Sequence, residues 1–126
     1  MSLRSPLSQA RGLGSAKDGV HHWWMQRLTA MALIPLSLWF VFSIARYHIA
    51  DYQTMILWLH NPYVAIALVL YFTALFYHSA LGVQVVIEDY VSSEGLKLVS
   101  LVLMKFAHFA LGAASVFAVL KIAFGA

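Results

Sequence analysis

Residues 63–87 read YVAIALVLYFTALFYHSALGVQVVI, a run of 25 residues with no formally charged side chain. A transmembrane helix needs about 20 mostly apolar residues, because each residue rises 1.5 Å through a hydrocarbon core about 30 Å thick. Residues 28–45 and residues 98–124 also form long, mostly apolar segments. The sequence therefore predicts an all-α membrane protein with three transmembrane helices.

The composition supports this class and excludes several kinds of site. Of the 126 residues, 62% are hydrophobic and 10% are charged, whereas soluble domains carry about 25% charged residues. The chain has no cysteine, which excludes disulfides, thiolate zinc sites, iron–sulfur ligation and c-type haem attachment. The basic residues are scattered and form no patch, so we predict no nucleic-acid partner.

The basic residues also predict an orientation, because cytoplasmic segments carry the excess of Lys and Arg. Residues 1–26 are predicted to form a cytoplasmic arm and interfacial segment, and residues 27–126 the three-helix anchor domain. We interpret the arm as ordered or semi-ordered and bacterial rather than as a transit peptide, since no long apolar run precedes a small-residue cleavage site. An inner N-terminus gives five inner bases (Arg4, Arg11, Lys17, Arg27, Lys97) and two outer ones (Arg46, Lys121).

His78 is an ionisable residue inside the second apolar segment. It precedes Ile87 by nine residues, which puts it ~14 Å deep by the helical rise. A polar group at that depth is costly without a partner and marks a functional site by default. Ala74 and Gly82 share its helix face, and such small residues let a helix or a flat ring approach. The pattern fits an axial ligand of haem iron or a histidine hydrogen-bonded to a neighbouring helix.

Asp89 and Tyr90 follow at the end of the same segment. Asp89 is eleven residues after His78, so both point the same way, ~16 Å apart along the helix. A phenol hydroxyl beside a carboxylate can hydrogen-bond a carbonyl oxygen and help to pass a proton. The alternative is an interfacial tyrosine beside a solvated acid.

A polar cluster precedes the first apolar segment. Arg27 lies one turn beyond Trp23 and Trp24, which are typical of an aromatic belt. Together with His21 and His22, this arginine forms a candidate site for an anionic group, such as a lipid phosphate or a cofactor carboxylate. The alternative is an arginine that extends to the membrane interface.

The remaining histidines receive weaker interpretations. His108 lies about as deep in the third segment as His78 does in the second, which permits a model in which both ligate one haem within this chain. We favour packing with a hydrogen bond for His108. His48 and His60 are predicted to be solvated loop residues without a chemical role.

Two stretches resemble a known family. Residues 78–91, HSALGVQVVIEDYV, have a His, three residues, a Gly, six residues and then Asp-Tyr, and residues 19–30 read GVHHWWMQRLTA. Both stretches and their separation resemble the hydrophobic membrane-anchor subunit of succinate dehydrogenase, respiratory complex II, of an alphaproteobacterial kind. The resemblance extends from about Gly19 to the end of the chain.

The resemblance implies specific roles. His78 matches the axial ligand of haem b, whose second ligand comes from the sister anchor, the cytochrome b subunit. Tyr90 and Asp89 match the ubiquinone site, and Arg27 and His21 match positions near the haem propionates, whereas His22 is less firmly tied to that role. The implied partners are the cytochrome b anchor, the iron–sulfur subunit, the flavoprotein subunit and membrane lipid. The implied location is the bacterial inner membrane. The resemblance also implies that the chain is a subunit of an enzyme and is not catalytic on its own.

Two alternatives remain open at this stage. One is a cytochrome b-type anchor for another quinone-linked dehydrogenase or for fumarate reductase. The other is a small non-redox membrane assembly protein whose polar residues only join helices. Genetic or biochemical association with a flavoprotein and an iron–sulfur subunit, and a Soret band in the purified complex, would separate them.

Overall fold

The computed structural model describes Leu7, residues 16–47 and residues 51–125. The two longer ranges form four α-helices and no strand: α1 (Ala16–Tyr47), α2 (Tyr52–Leu59), α3 (Pro62–Tyr90) and α4 (Glu94–Ala123). Three helical segments are long and apolar enough to cross a membrane: Gly19–Arg46, Pro62–Tyr90 and Glu94–Ala123. The all-α fold with three spans is confirmed, and the chain is a multi-pass membrane protein.

The long helices extend beyond the apolar segments that predicted them. α1 begins at Ala16, twelve residues before the predicted span at residue 28, so part of the predicted arm is helical. Hydropathy marks where a helix enters lipid, whereas the backbone hydrogen bonds continue wherever the sequence tolerates them. The division at residues 26 and 27 stays a prediction. The rest of the arm, apart from Leu7, and His48 lie outside the described residues.

α3 begins where the sequence indicates. Pro62 occupies the first turn, where its missing N–H leaves no hydrogen bond unmade. Asn61 caps the helix, because its Oδ1 accepts a hydrogen bond of 3.0 Å from the Tyr63 backbone N–H. His60 is exposed just before this cap, which agrees with its prediction as a solvated residue.

α2 is an element that the sequence analysis did not predict within the first loop. Asp51 caps it, because its carboxylate accepts from the Thr54 backbone N–H at 3.0 Å and from the Thr54 hydroxyl at 3.1 Å. Trp58 stacks on Trp39 of α1 with ring centroids 5.9 Å apart. The cap and this stacking explain why eight residues hold a helix that would be marginal alone.

α3 is the central helix, and both α1 and α4 pack mainly against it. A buried cluster lies where α2 meets the start of α3 and the end of α4, and its buried members are Leu59, Ala65, Leu68 and Val119. Elsewhere the spans are open. In an apolar 18-residue stretch of each span, only 17%, 11% and 6% of the residues, in chain order, are buried within the chain. Apolar side chains on these open faces are typical of helices that contact lipid or another subunit.

Candidate functional site

His78 contacts the first span through both ring nitrogens. Its Nδ1 lies 2.9 Å from the Thr29 hydroxyl, and its Nε2 lies 3.5 Å from the Gln26 amide nitrogen. Gln26 and Thr29 are three residues apart on α1, so they present one face to α3. The structure therefore brings the mid-span histidine against two polar side chains of a neighbouring helix.

The hydrogen bonds of Thr29 indicate where the imidazole carries its proton. The Thr29 hydroxyl lies 2.7 Å from the Met25 carbonyl oxygen and 3.1 Å from that of Gln26, and both oxygens can only accept. With its single proton directed there, the hydroxyl oxygen accepts a hydrogen bond from His78 Nδ1–H. A neutral imidazole protonated at Nδ1 keeps a lone pair on Nε2.

The surroundings of Nε2 leave that lone pair weakly engaged. The Gln26 amide is at the outer limit of hydrogen-bond distance, and its Oε1 is buried with no partner among the described residues. An added Cβ at Gly82 would lie 3.6 Å from Gln26 Nε2, which is an ordinary van der Waals distance. The Gln26 side chain is flexible, and a bound group could displace its amide from Nε2.

His108 has a different environment. Its Nδ1 lies 2.9 Å from the Met104 carbonyl oxygen, which fixes the proton on Nδ1, and its Nε2 lies 3.1 Å from the Ser79 hydroxyl. The Ser79 hydroxyl then donates to Nε2, so both nitrogens are engaged. This is the packing role that the sequence favoured, and it argues against a haem held by His78 and His108 within one chain.

Arg27 and His21 do not join the His78 contacts. The guanidinium of Arg27 lies 5.6 Å from the ring centroid of Trp23 in a cation–π arrangement, and the side chain is exposed. The hydrogen bonds of the described residues include none between His78 and either Arg27 or His21. Arg27 follows His21 by six positions, which puts their side chains about 120° apart around α1.

His22 lies closer than His21 to the face of α1 that contacts His78. It precedes Gln26 by four residues and so shares its face. Its Nε2 is buried with no partner among the described residues. His21 and His22 both line a groove of about 460 Å³ together with Gln84 and Glu88 of α3. An anionic group in this groove would supply an acceptor for the imidazole nitrogen.

Asp89 and Tyr90 lie at the exposed end of α3. Tyr90 is the last residue of the helix and 82% exposed, and Asp89 is also exposed. The neighbouring Glu88 instead accepts a 2.8 Å hydrogen bond from Gln84. The Tyr90 hydroxyl and the Asp89 carboxylate are therefore open to a molecule at the membrane surface.

Gln26 and Thr29 were not predicted as site residues from the sequence. Their signal was a polar stripe, because His22, Gln26 and Thr29 are spaced four and three residues apart in an apolar helix. No group of three or more His, Asp or Glu side chains within the described part of the chain is arranged to hold a metal ion.

Comparisons with known proteins agree on one family. Residues 1–112 match the family described as the succinate dehydrogenase/fumarate reductase transmembrane subunit. A succinate dehydrogenase hydrophobic membrane anchor subunit of Rickettsia bellii is 37% identical over 82% of this chain and 82% of its own length. That of Paracoccus denitrificans is 27% identical over 100% and 97%, and a succinate dehydrogenase membrane anchor subunit of Reclinomonas americana is 33% identical over 71% and 77%. No solved structure matches the chain.

Proposed function

Because the chain belongs to the succinate dehydrogenase/fumarate reductase transmembrane subunit family, we propose that it anchors a succinate:ubiquinone oxidoreductase in the bacterial inner membrane. Its partners would be the sister cytochrome b anchor, the iron–sulfur subunit and the flavoprotein subunit. Iron–sulfur chemistry would belong to the iron–sulfur subunit, since this chain has no cysteine, and succinate oxidation to the flavoprotein subunit. The anchor contributes membrane attachment and part of a redox site.

We propose that His78 ligates haem b through Nε2, with the second axial ligand from the sister cytochrome b anchor. The observation that carries this proposal is the mid-span imidazole whose Nδ1 is hydrogen-bonded to Thr29 and whose Nε2 meets only a distant amide. A bound haem would supply a one-electron redox centre within the membrane. The propionate region would include Arg27 and His21, and the buried Nε2 of His22 adds a further donor or acceptor.

We propose that Tyr90 and Asp89 form this chain's part of the ubiquinone-reduction site. The phenol hydroxyl would donate a hydrogen bond to a quinone carbonyl oxygen, and the neighbouring carboxyl group would hold or pass a proton. The open end of α3 supports both roles, because an apolar quinone can reach it from the lipid and protons can reach it from water. With the N-terminus inside, this end faces the cytoplasm.

The test is purification of the complex that contains this chain. We expect co-purification of a flavoprotein and an iron–sulfur subunit, a low-spin b-type spectrum on reduction, and succinate-driven reduction of ubiquinone. A b-type spectrum with a different electron donor would favour an anchor of another dehydrogenase or of fumarate reductase. A complex with neither haem nor redox subunits would refute the proposal.

A further inference from the structure

We propose that Thr29 is the positioning residue for His78, holding the proton on Nδ1 and fixing the ring so that Nε2 can bind iron. This inference rests on the proposed haem ligation by His78. Thr29 is itself only 8% exposed, although it is a polar residue inside the first span. Its position is explained if its hydroxyl serves a partner on another helix.

Iron binding at Nε2 depends on where the imidazole of His78 carries its proton. A neutral imidazole has one N–H, so an iron atom on Nε2 requires the proton to be on Nδ1. In an apolar span that N–H needs an acceptor, and the Thr29 oxygen lies 2.9 Å away. The hydroxyl's own proton has the Met25 carbonyl oxygen at 2.7 Å. The Nδ1–H of His78 and the O–H of Thr29 then each have an acceptor.

The opposite direction of the Thr29–His78 hydrogen bond gives a different tautomer. If the Thr29 hydroxyl donated to Nδ1 instead, the proton would be on Nε2 and directed toward the Gln26 amide nitrogen at 3.5 Å. Two N–H groups would then face each other, and no lone pair would be left for a metal. Thr29, whose own proton is directed to the Met25 carbonyl oxygen, therefore favours the tautomer that ligates.

The hydrogen bond to Thr29 would also affect an iron atom bound to His78. An acceptor on the outer nitrogen of a ligating histidine fixes the ring and raises its basicity, and loss of such a partner typically weakens metal affinity or activity 10- to 100-fold. A more basic imidazole stabilises the oxidised iron. Removal of the Thr29 hydroxyl should therefore raise the haem midpoint potential, reorient the ring and weaken haem retention by about 10- to 100-fold.

The experiment compares Thr29→Val with Thr29→Ser in the purified four-subunit complex. The readouts are the haem midpoint potential, the low-spin electron paramagnetic resonance signal and the haem-to-protein ratio. We expect Val to raise the potential and shift the signal, and Ser to restore both. Thr73→Val is the matched control, because the Thr73 hydroxyl bonds its own helix at Val69, at 2.7 Å, on an exposed face.

A Val variant with wild-type potential and signal, or a Ser variant that behaves like Val, overturns the inference. If the Val complex does not assemble, Thr29→Ser and Thr29→Ala decide, because both lose the methyl group and only Ser keeps the hydroxyl. Equal potentials in that pair would equally refute it. If His78→Leu leaves the haem spectrum unchanged, the proposed ligation itself fails; if it removes the spectrum while Thr29→Val changes nothing, only the positioning role fails.

Discussion

His78 and His108 lie in neighbouring apolar helices, yet their ring nitrogens have different partners. Both ring nitrogens of His108 have close hydrogen-bond partners, the Met104 carbonyl oxygen and the Ser79 hydroxyl. His78 has a close partner only at Nδ1, on Thr29. A ligand needs a free lone pair, so residue type and depth alone do not distinguish the two, whereas their hydrogen bonds do.

This difference predicts the outcome of two matched substitutions. His78→Leu should abolish or alter the low-spin b-haem spectrum, because it removes an axial nitrogen. His108→Leu should leave the ligation intact and lower thermal stability, since removal of the imidazole leaves the Ser79 hydroxyl without this partner. Optical spectra and melting curves of the purified complexes measure both. Loss of a ligand in the His108 variant alone would mean that the other histidine binds the iron.

A second prediction at the residue scale concerns the quinone. Tyr90→Phe keeps the ring and deletes the hydroxyl, whose hydrogen bond is worth about 0.5–1.5 kcal/mol, or more if a buried partner is left unsatisfied. The efficiency of quinone reduction should fall roughly threefold to a hundredfold. Succinate oxidation with an acceptor that takes electrons before the membrane should be unchanged.

Tyr63→Phe is the control for that prediction. Tyr63 is also exposed, at 81%, and lies at the opposite end of α3. The Tyr63→Phe variant should leave quinone reduction unaltered. Wild-type efficiency and affinity in Tyr90→Phe would show that Tyr90 is only an interfacial residue. Asp89→Asn should lower quinone reduction in the same direction as Tyr90→Phe.

At the scale of elements, α3 is the helix through which the other spans interact. It carries His78 toward α1 and Ser79 toward α4. Its contact with α4 is close at Gly112, where an added Cβ would lie 3.4 Å from the Cβ and Cγ of Phe76. Glycine at this position lets the two backbones approach, as small residues do between membrane helices.

Gly112→Val should therefore force α3 and α4 apart. Overpacking of this kind costs about 1–3 kcal/mol, so the melting temperature of the complex should fall. Gly95→Val on the same helix is the control, because nothing lies within 4 Å of an added Cβ there. Equal melting temperatures for the two variants would contradict close packing at Gly112.

At the scale of the whole molecule, the three spans form an open layer, and few of the described residues are buried. Large apolar side chains face outward along all three long helices, among them Leu38, Phe42, Ile66, Leu103 and Phe109. Lipid and a partner subunit would cover such faces in the proposed complex. The orientation of the layer in the membrane is predicted from the distribution of Lys and Arg along the chain rather than from its packing.

Reporter fusions test that orientation. A fusion after Ser92, between α3 and α4, should report a cytoplasmic location, and a fusion at the C-terminus should report the opposite side. The excess of Lys and Arg on the N-terminal side is the physical reason. A cytoplasmic C-terminus would overturn the proposed topology and, with it, the side of the membrane at which Tyr90 lies.

The amino-acid sequence alone determines the three spans, because about 20 consecutive apolar residues have no stable alternative to a helix in lipid. It also indicates His78, since an ionisable residue in a long apolar run stands out without any structure. It did not predict α2, which depends on the Asp51 cap and on packing against Trp39. Only the folded chain pairs His78 with Thr29 and His108 with Ser79. The partners are 49 positions apart in the first pair and 29 in the second, so their contacts depend on how the helices pack. Those pairings determine which imidazole keeps a lone pair.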